Sequence, residues 1–291
     1  IDGNGGQAIP NASVIIKGDK IIAAGPLKNI QIPQGAEIIQ GKGMSLLPGL
    51  IDSHFHIDGS EELPSIFLQN GITSIRDPGL WIEVYDQVRK SGKHNPRLFL
   101  SGPHLDGSPP AYPDDAYVVR DDAEAVRQVN EAADQGSTVI KIYFRTPPGM
   151  IKAITAVAHK RGIPVTGHLE ITEAKHAIEA GLDGIEHITS FGLSLTPKRE
   201  AEKYRQAMLA DNNYRKQGRY ESWSKIDLNS PTADSLTRFL VRKGTFISPT
   251  LAIFEYQSGS GIADSIKLKG FDQMMKLTAK LQKGGAKVVV G

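Results

Sequence analysis

The 291-residue chain contains no cysteine. That excludes a disulfide framework, a thiolate metal site and a cysteine nucleophile, and leaves His, Asp, Glu and Lys as the reactive inventory. The compartment stays open, cytoplasmic or exported, because cysteine-free chains occur in both. No apolar run approaches the ~20 residues of a membrane-spanning helix, so a soluble chain with no membrane partner is expected. There is no excess of one charge either: 34 basic residues stand against 32 acidic ones, for a net charge of +2. Without a one-sided stretch, neither nucleic acid nor anionic lipid is indicated as a partner. Internal repeats and low-complexity tracts are also lacking.

What the chain does have is 40% hydrophobic and 23% charged residues, enough for one large α/β domain or one with a small companion. Up to about residue 45 the reading is short β-structure. "SVIIKGDKIIAAG" is two β-rich runs joined by the hairpin dipeptide Gly18-Asp19, and "AEIIQ" is a further short strand.

From Leu46 onward, short apolar runs alternate with amphipathic helical stretches, the pattern of a parallel sheet. The strand candidates are "LLPGLIDSHFHI", "ITSIRD", "RLFLSG", "TVIKIYF", "IPVTGHL", "DGIEHI", "TFISPTL" and "AKVVVG". The clearest helix runs from Thr172, as N-cap, to Ala180, with Gly181 as its stop. Ala174, Ala177 and Ile178 form its buried stripe and His176 faces solvent. This arithmetic suits a (β/α)8 barrel, and a doubly wound open sheet fits the same string. "HLDGSPPAYPDDAY" reads as a long loop, and the charged stretch near 194–232 as an insertion over one face.

His54 and His56 stand at i and i+2 on a strand, so both imidazoles point the same way and make half a metal site. Either ring taken alone is equally an interior residue with a satisfied hydrogen bond. His168 and His187 end two further strand candidates, so four of the eight histidines lie at the carboxyl ends of predicted strands, where a barrel gathers its chemistry. His94, His159 and His176 have no such placement, while His104 lines the mouth or packs beneath it. Lys141 sits inside an apolar strand, where a charge costs several kcal/mol unless paired or neutralised. A neutral amine there can become a carbamate that bridges metals; the alternative is a snorkelling or ion-paired lysine. Arg76, His104, Tyr143 and Arg145 are polar groups near the predicted mouth, suited to grip a carboxylate or amide of a small-molecule substrate. An ion pair with Asp77 or another barrel residue is the alternative for Arg76. Asp52 supports a ligand or caps local backbone.

Taken together, "LLPGLIDSHFH", "GITSIRD", "PRLFLSG", "VIKIYF", "GHLEITEAKHAIEAGLDGIEHI" and "GGAKVVVG" resemble the amidohydrolase superfamily along essentially the whole chain, nearest its imidazolonepropionase-like and Xaa-Pro dipeptidase-like members. The resemblance implies a (β/α)8 metallohydrolase barrel over 47–291, lacking its last helix, with residues 1–46 as the N-terminal part of a small β-sandwich. It implies one or two divalent cations, Zn2+ by preference. His54 and His56 would hold the buried ion, His168 and His187 the second, and Lys141, as a carbamate, would bridge them. His187 would also polarise the scissile carbonyl toward activated water. The family's general-base Asp, in a Gly-Thr-Asp setting, is expected just beyond Gly291, so the given chain reads as most of an enzyme rather than all of it. The implied reaction is hydrolysis of an amide, peptide-like or cyclic amide C–N bond. Its rivals are a single-metal deaminase or imidazolone-type ring hydrolase, and a barrel that has lost turnover and binds only. Assembly into a homo-oligomer is compatible with all of these.

Overall fold

The computed structural model describes residues 1–259 and 265–291, and side chains outside 256–264. It divides into two compact units, residues 1–50 and 51–291. In the first, strands β1 (Ala12–Lys17) and β2 (Lys20–Pro26) pair antiparallel across Gly18-Asp19, as the turn dipeptide predicts. Gly18 takes φ 62°, the left-handed conformation such a tight turn requires. The expected strand "AEIIQ" does not form. Ile38 and Ile39 are 60% and 89% exposed, and a β-prone run without a neighbouring strand has no partner for its N–H and C=O groups.

The second unit is built on strands β3 (Leu50–Asp52), β4 (Ile72–Asp77), β5 (Arg97–Leu100), β6 (His104–Asp106), β7 (Ala116–Val118), β8 (Ile140–Ile142), β9 (Val165–His168), β10 (Gly184–Glu186), β11 (Phe246–Ser248) and β12 (Lys287–Val288). β3, β4 and β5 are neighbours in one sheet, and β8 through β12 are neighbours in sequence order in another. Two backbone bonds connect these sheets: Thr138 N–H donates to the Leu100 carbonyl and Ser53 N–H to that of Val290, each at 2.8 Å. The eight strand candidates thus follow the (β/α)8 barrel pattern, with parallel strands ordered as in a barrel of the TIM type.

The third strand is broken. Gly102, at φ 71°, turns the chain after β5 so that β6 resumes beside β8, with Tyr143 N–H donating to Leu105 at 2.8 Å. The proline-rich stretch read as a loop therefore begins and ends in strands, β6 and β7, which pair in parallel. Between them the Asp106 carboxylate accepts from the backbone N–H groups of Gly107, Ala111 and Arg145, folding the loop back over the strand ends.

Helices α1 (Leu63–Gln69), α2 (Asp86–Lys90), α3 (Asp122–Asp134), α4 (Pro148–Lys160), α5 (Ala174–Glu179), α6 (Gly192–Leu195), α7 (Lys198–Ala210), α8 (Arg215–Trp223), α9 (Pro231–Lys243), α10 (Leu251–Gly259) and α11 (Ser265–Lys283) complete this unit. Their limits follow local chemistry. In α3, Asp121 accepts from Glu124 N–H at 2.7 Å while Ala125, Val129 and Ala132 turn inward at helical spacing. Ser230 caps α9, Pro231 occupies its first turn, and Gly244 at φ 67° ends it. α5 starts later than expected: Thr172 bonds the Thr146 carbonyl, and Glu173 is the N-cap. Its stripe of Ala174, Ala177 and Ile178 is buried and His176 is exposed, as read.

Ile140, Ile142, Val165, Ile185 and Ile247, on the barrel strands, are fully buried in the main core with α3, α4, α9 and α11 around them. Each such side chain contributes about 1.5–3 kcal/mol of burial. The charged stretch after β10 folds as α6, α7 and α8, fastened by buried Tyr220 and Trp223 on α8 and Tyr204 and Met208 on α7. Among the described residues no helix is long and apolar enough to cross a membrane.

Candidate metal centre

The barrel's carboxyl ends bring the sequence-predicted histidines together. Ring centroids of His54 and His187 lie 4.5 Å apart, those of His168 and His187 4.4 Å, and those of His54 and His56 5.4 Å. His187 takes φ 62° directly after β10, a rare conformation for a residue with a side chain. Its N–H is held by the Ser248 carbonyl at 2.8 Å.

Each ring has one nitrogen committed to a fixed acceptor. Glu186 accepts from His54 Nδ1 at 2.6 Å, Asp77 from His56 Nδ1 at 3.1 Å, and Glu170 from His168 Nε2 at 3.1 Å. The Thr250 hydroxyl donates to its neighbour's carbonyl, that of Pro249, and so accepts from His187 Nδ1 at 2.6 Å. Because carboxylates only accept, these partners fix the tautomers and leave a lone pair on the opposite nitrogen of each ring. Two of those nitrogens, His54 Nε2 and His168 Nδ1, are buried with no hydrogen-bond partner. An imidazole pinned on one side and bare on the other is the arrangement metal-binding histidines use.

The protonation states fit. Burial, with Lys141 next, pushes His54 down to about 3; burial pushes His168 down to about 4 and His187 well below its ordinary value. All three are neutral donors at pH 7. Burial would raise the Glu186 carboxyl, but Arg76, His54 and Lys141 hold it well below its usual range. Lys141 is 2% exposed, and its ammonium makes no hydrogen bond or ion pair among the described residues. Burial brings it down to about 8, with Glu186 opposing the shift and Arg76 reinforcing it. The donor chemistry therefore suits a divalent cation of the zinc type. Among the described residues no trio of His, Cys, Asp or Glu already closes on one ion position, so the donors are gathered rather than preset on a point.

A cavity of about 430 Å³ opens above them, lined by His56, His104, Lys141, His168 and His187 on the strand side. Tyr112, Tyr143, Arg215, Arg219 and Phe254 line it from the loops and helices. Gly79 stands close under His56: a Cβ there would fall 2.8 Å from His56 Cε1. Of the residues expected to meet substrate, His104 and Tyr143 line the cavity, their rings tilted at 42° with centroids 4.5 Å apart.

Two others do not line it. Arg76 is turned to Glu186 in a two-pronged ion pair, because a buried carboxylate between strands needs a counter-ion more than the mouth needs a cation. Arg145 is spent on Asn212 and on the Met208 and Leu209 carbonyls at the end of α7. Asp52 accepts from His54 N–H at 3.0 Å, the backbone-capping alternative.

Sequence reading missed Glu170, Glu186, Asp77 and Thr250 as partners of the rings. The first two were visible as carboxylates beside histidines in "GHLE" and "IEHI". It also missed Tyr112, Arg215 and Arg219, which no local pattern marks.

A parallel (β/α)8 barrel with neutral imidazoles gathered at its strand ends defines a class of metal-binding barrel proteins. Within that class, residues 45–264 match the model of the Amidohydrolase family, and the chain belongs to that family. It is 37% identical over 68 residues to adenine deaminase 2 of Shouchella clausii (strain KSM-K16), covering 22% of this chain and 12% of that protein. It is 38% identical over 69 residues to an imidazolonepropionase of Alkaliphilus metalliredigens (strain QYMF), covering 22% and 16%. The matches thus span less than a fifth of those relatives' lengths. A solved Xaa-Pro dipeptidase with methionine bound in its active site superposes at TM-score 0.61 and 19% identity, over 96% of this chain and 74% of that one. These neighbours bear out the expected likeness to imidazolonepropionase-like and Xaa-Pro dipeptidase-like proteins.

Proposed function

We propose that the chain is a metal-dependent hydrolase cleaving the C–N bond of an amide, peptide-like or cyclic amide small molecule. The observation that carries this is the set of four rings, each pinned through one nitrogen with the other left as a lone pair, beside a buried and unpaired Lys141. His54 and His56 would hold one cation and His168 and His187 a second, with Lys141 between them as its carbamate. Bound there, such a cation polarises a carbonyl and brings the pKa of water toward ~7.

The chain's own residues set the rest. Glu186, Asp77, Glu170 and Thr250 fix ring orientation, and the roof over the cavity limits water. His104 and Tyr143 face the substrate.

The test is metal content per chain before and after chelation, paired with hydrolysis of dipeptides, N-acyl amino acids and lactams. One to two ions, activity abolished by chelation and restored by Zn2+, and loss of the second ion in Lys141→Ala support the reading. Absence of tight metal binding refutes it. The short matches to an adenine deaminase and an imidazolonepropionase favour a second reading, single-metal deamination or ring opening. One ion per chain with ammonia release, or with opening of an imidazolone ring, would establish it.

A further inference from the structure

Arg215 is a buried cation without an anion. It is 6% exposed, and its guanidinium donates to two phenols, Tyr143 at 3.2 Å and Tyr112. Its planar head lies 4.8 Å from the centroid of the Tyr112 ring and 5.5 Å from that of Phe144. Among the described residues no carboxylate pairs with it. The nearby candidate, Glu170, already receives Arg219 at 3.3 Å, Tyr204 at 2.6 Å and His168. Phenols are neutral partners and supply no counter-charge. Aromatic faces and phenol oxygens offset only part of the cost of desolvating a guanidinium.

The position matters as much as the imbalance. Arg215 lines the cavity that holds His168 and His187, and a single side chain separates it from them: the Tyr143 ring lies 4.8 Å from His168 and its hydroxyl meets Arg215. Lys216 stands beside it, exposed at the rim. A planar cation wedged between two rings has its edge left for a planar anion, for which a carboxylate is the matched shape.

We propose that the substrate carries a carboxylate, and that Arg215, held by Tyr112, Tyr143 and Phe144, is the residue that receives it, one side chain away from the bond to be cut. The site would thus take N-acyl amino acids, C-terminal dipeptides or ring-derived acids in preference to their neutral amides. The location of the bond to be cut rests on the hydrolytic reading above; the anion site does not.

The experiment measures equilibrium binding to the full chain, chelated and Zn2+-loaded, of N-acetyl amino acids and dipeptides against their matched carboxamides, with inorganic phosphate as a further arm. The acids are expected to bind at least about tenfold more tightly, the scale of one charge-assisted pair. Arg215→Gln should erase that preference and Arg215→Lys reduce it, while Lys216→Gln lowers affinity only modestly. Arg215→Met is also expected to raise Tm, because it removes a buried charge that lacks a partner. Equal binding of acids and amides, binding of neither, a preference surviving Arg215→Gln, or phosphate binding more tightly than every acid would overturn the proposal. Should Arg215→Gln fail to fold, Arg215→Lys and Tyr112→Phe decide it. Acid binding that depends on Arg215 in a protein that takes up no metal would sink the hydrolytic reading and leave this one standing.

Discussion

A histidine that gives its one proton to a fixed carboxylate has no freedom to turn away from its neighbours, and three of the four clustered rings are held this way. Glu186 bears the most, since it joins His54 to Arg76. Glu186→Gln leaves the half-buried Arg76 without its counter-ion and is expected to cost about 3 kcal/mol in urea unfolding, the low end of the scale for a broken buried pair. The same burial makes the metal-free protein acid-labile. His104 lies at about 3, and His54 and His168 at about 3 and 4, against an ordinary ~6.5 when unfolded. Between these values the unfolded chain binds more protons, so stability is full above about pH 6.5 and falls as pH drops toward 3–4. Each histidine contributes a slope of about 1.4 kcal/mol per pH unit in that window. In chelated protein, His104→Phe is expected to remove one proton's worth of slope, read from Tm against pH.

At the scale of elements, what was legible in the sequence is what short-range pattern encodes. Eight apolar runs, the Gly18-Asp19 turn and the stripe of Ala174, Ala177 and Ile178 each carry their own periodicity, and the histidines sit at strand ends that the pattern marks. "AEIIQ" has the same β character but no neighbour, and strand formation depends on a partner that composition does not announce. Arg215 and Arg219 come from a helix whose polar surface looks like any solvated face. They reach the cavity because α8 packs Tyr220 and Trp223 inward, a tertiary outcome. Arg76 takes its ion-paired alternative and Arg145 leaves the mouth for the converse reason: a long cation near a mouth goes to the nearest unpaired acceptor. Local signals also predict local costs. Ser230→Ala is expected to lose about 1 kcal/mol through the α9 cap. Gly102→Ala is expected to lose at least as much, because a Cβ is strained at φ 71°. Both are read from denaturation midpoints.

For the barrel as a whole, two backbone bonds connect the sheets, and one of them lies beside the centre. Ser53, next to His54, donates to Val290. Chelation is therefore expected to speed hydrogen exchange at the Ser53 amide more than at Ile140 in the middle of β8, measured by mass spectrometry with and without Zn2+. The join also links residues 237 positions apart, so it is among the last contacts that chain-closure entropy permits. During synthesis the early segment waits for the late one: Ser53 emerges first, and its bond to Val290 forms only once residue 290 has been made. On the proposed reading a cation that needs His54, His168 and His187 together is taken up only after all three have emerged, so a nascent chain arrested before residue 187 would hold its early histidines with the ion still in solution.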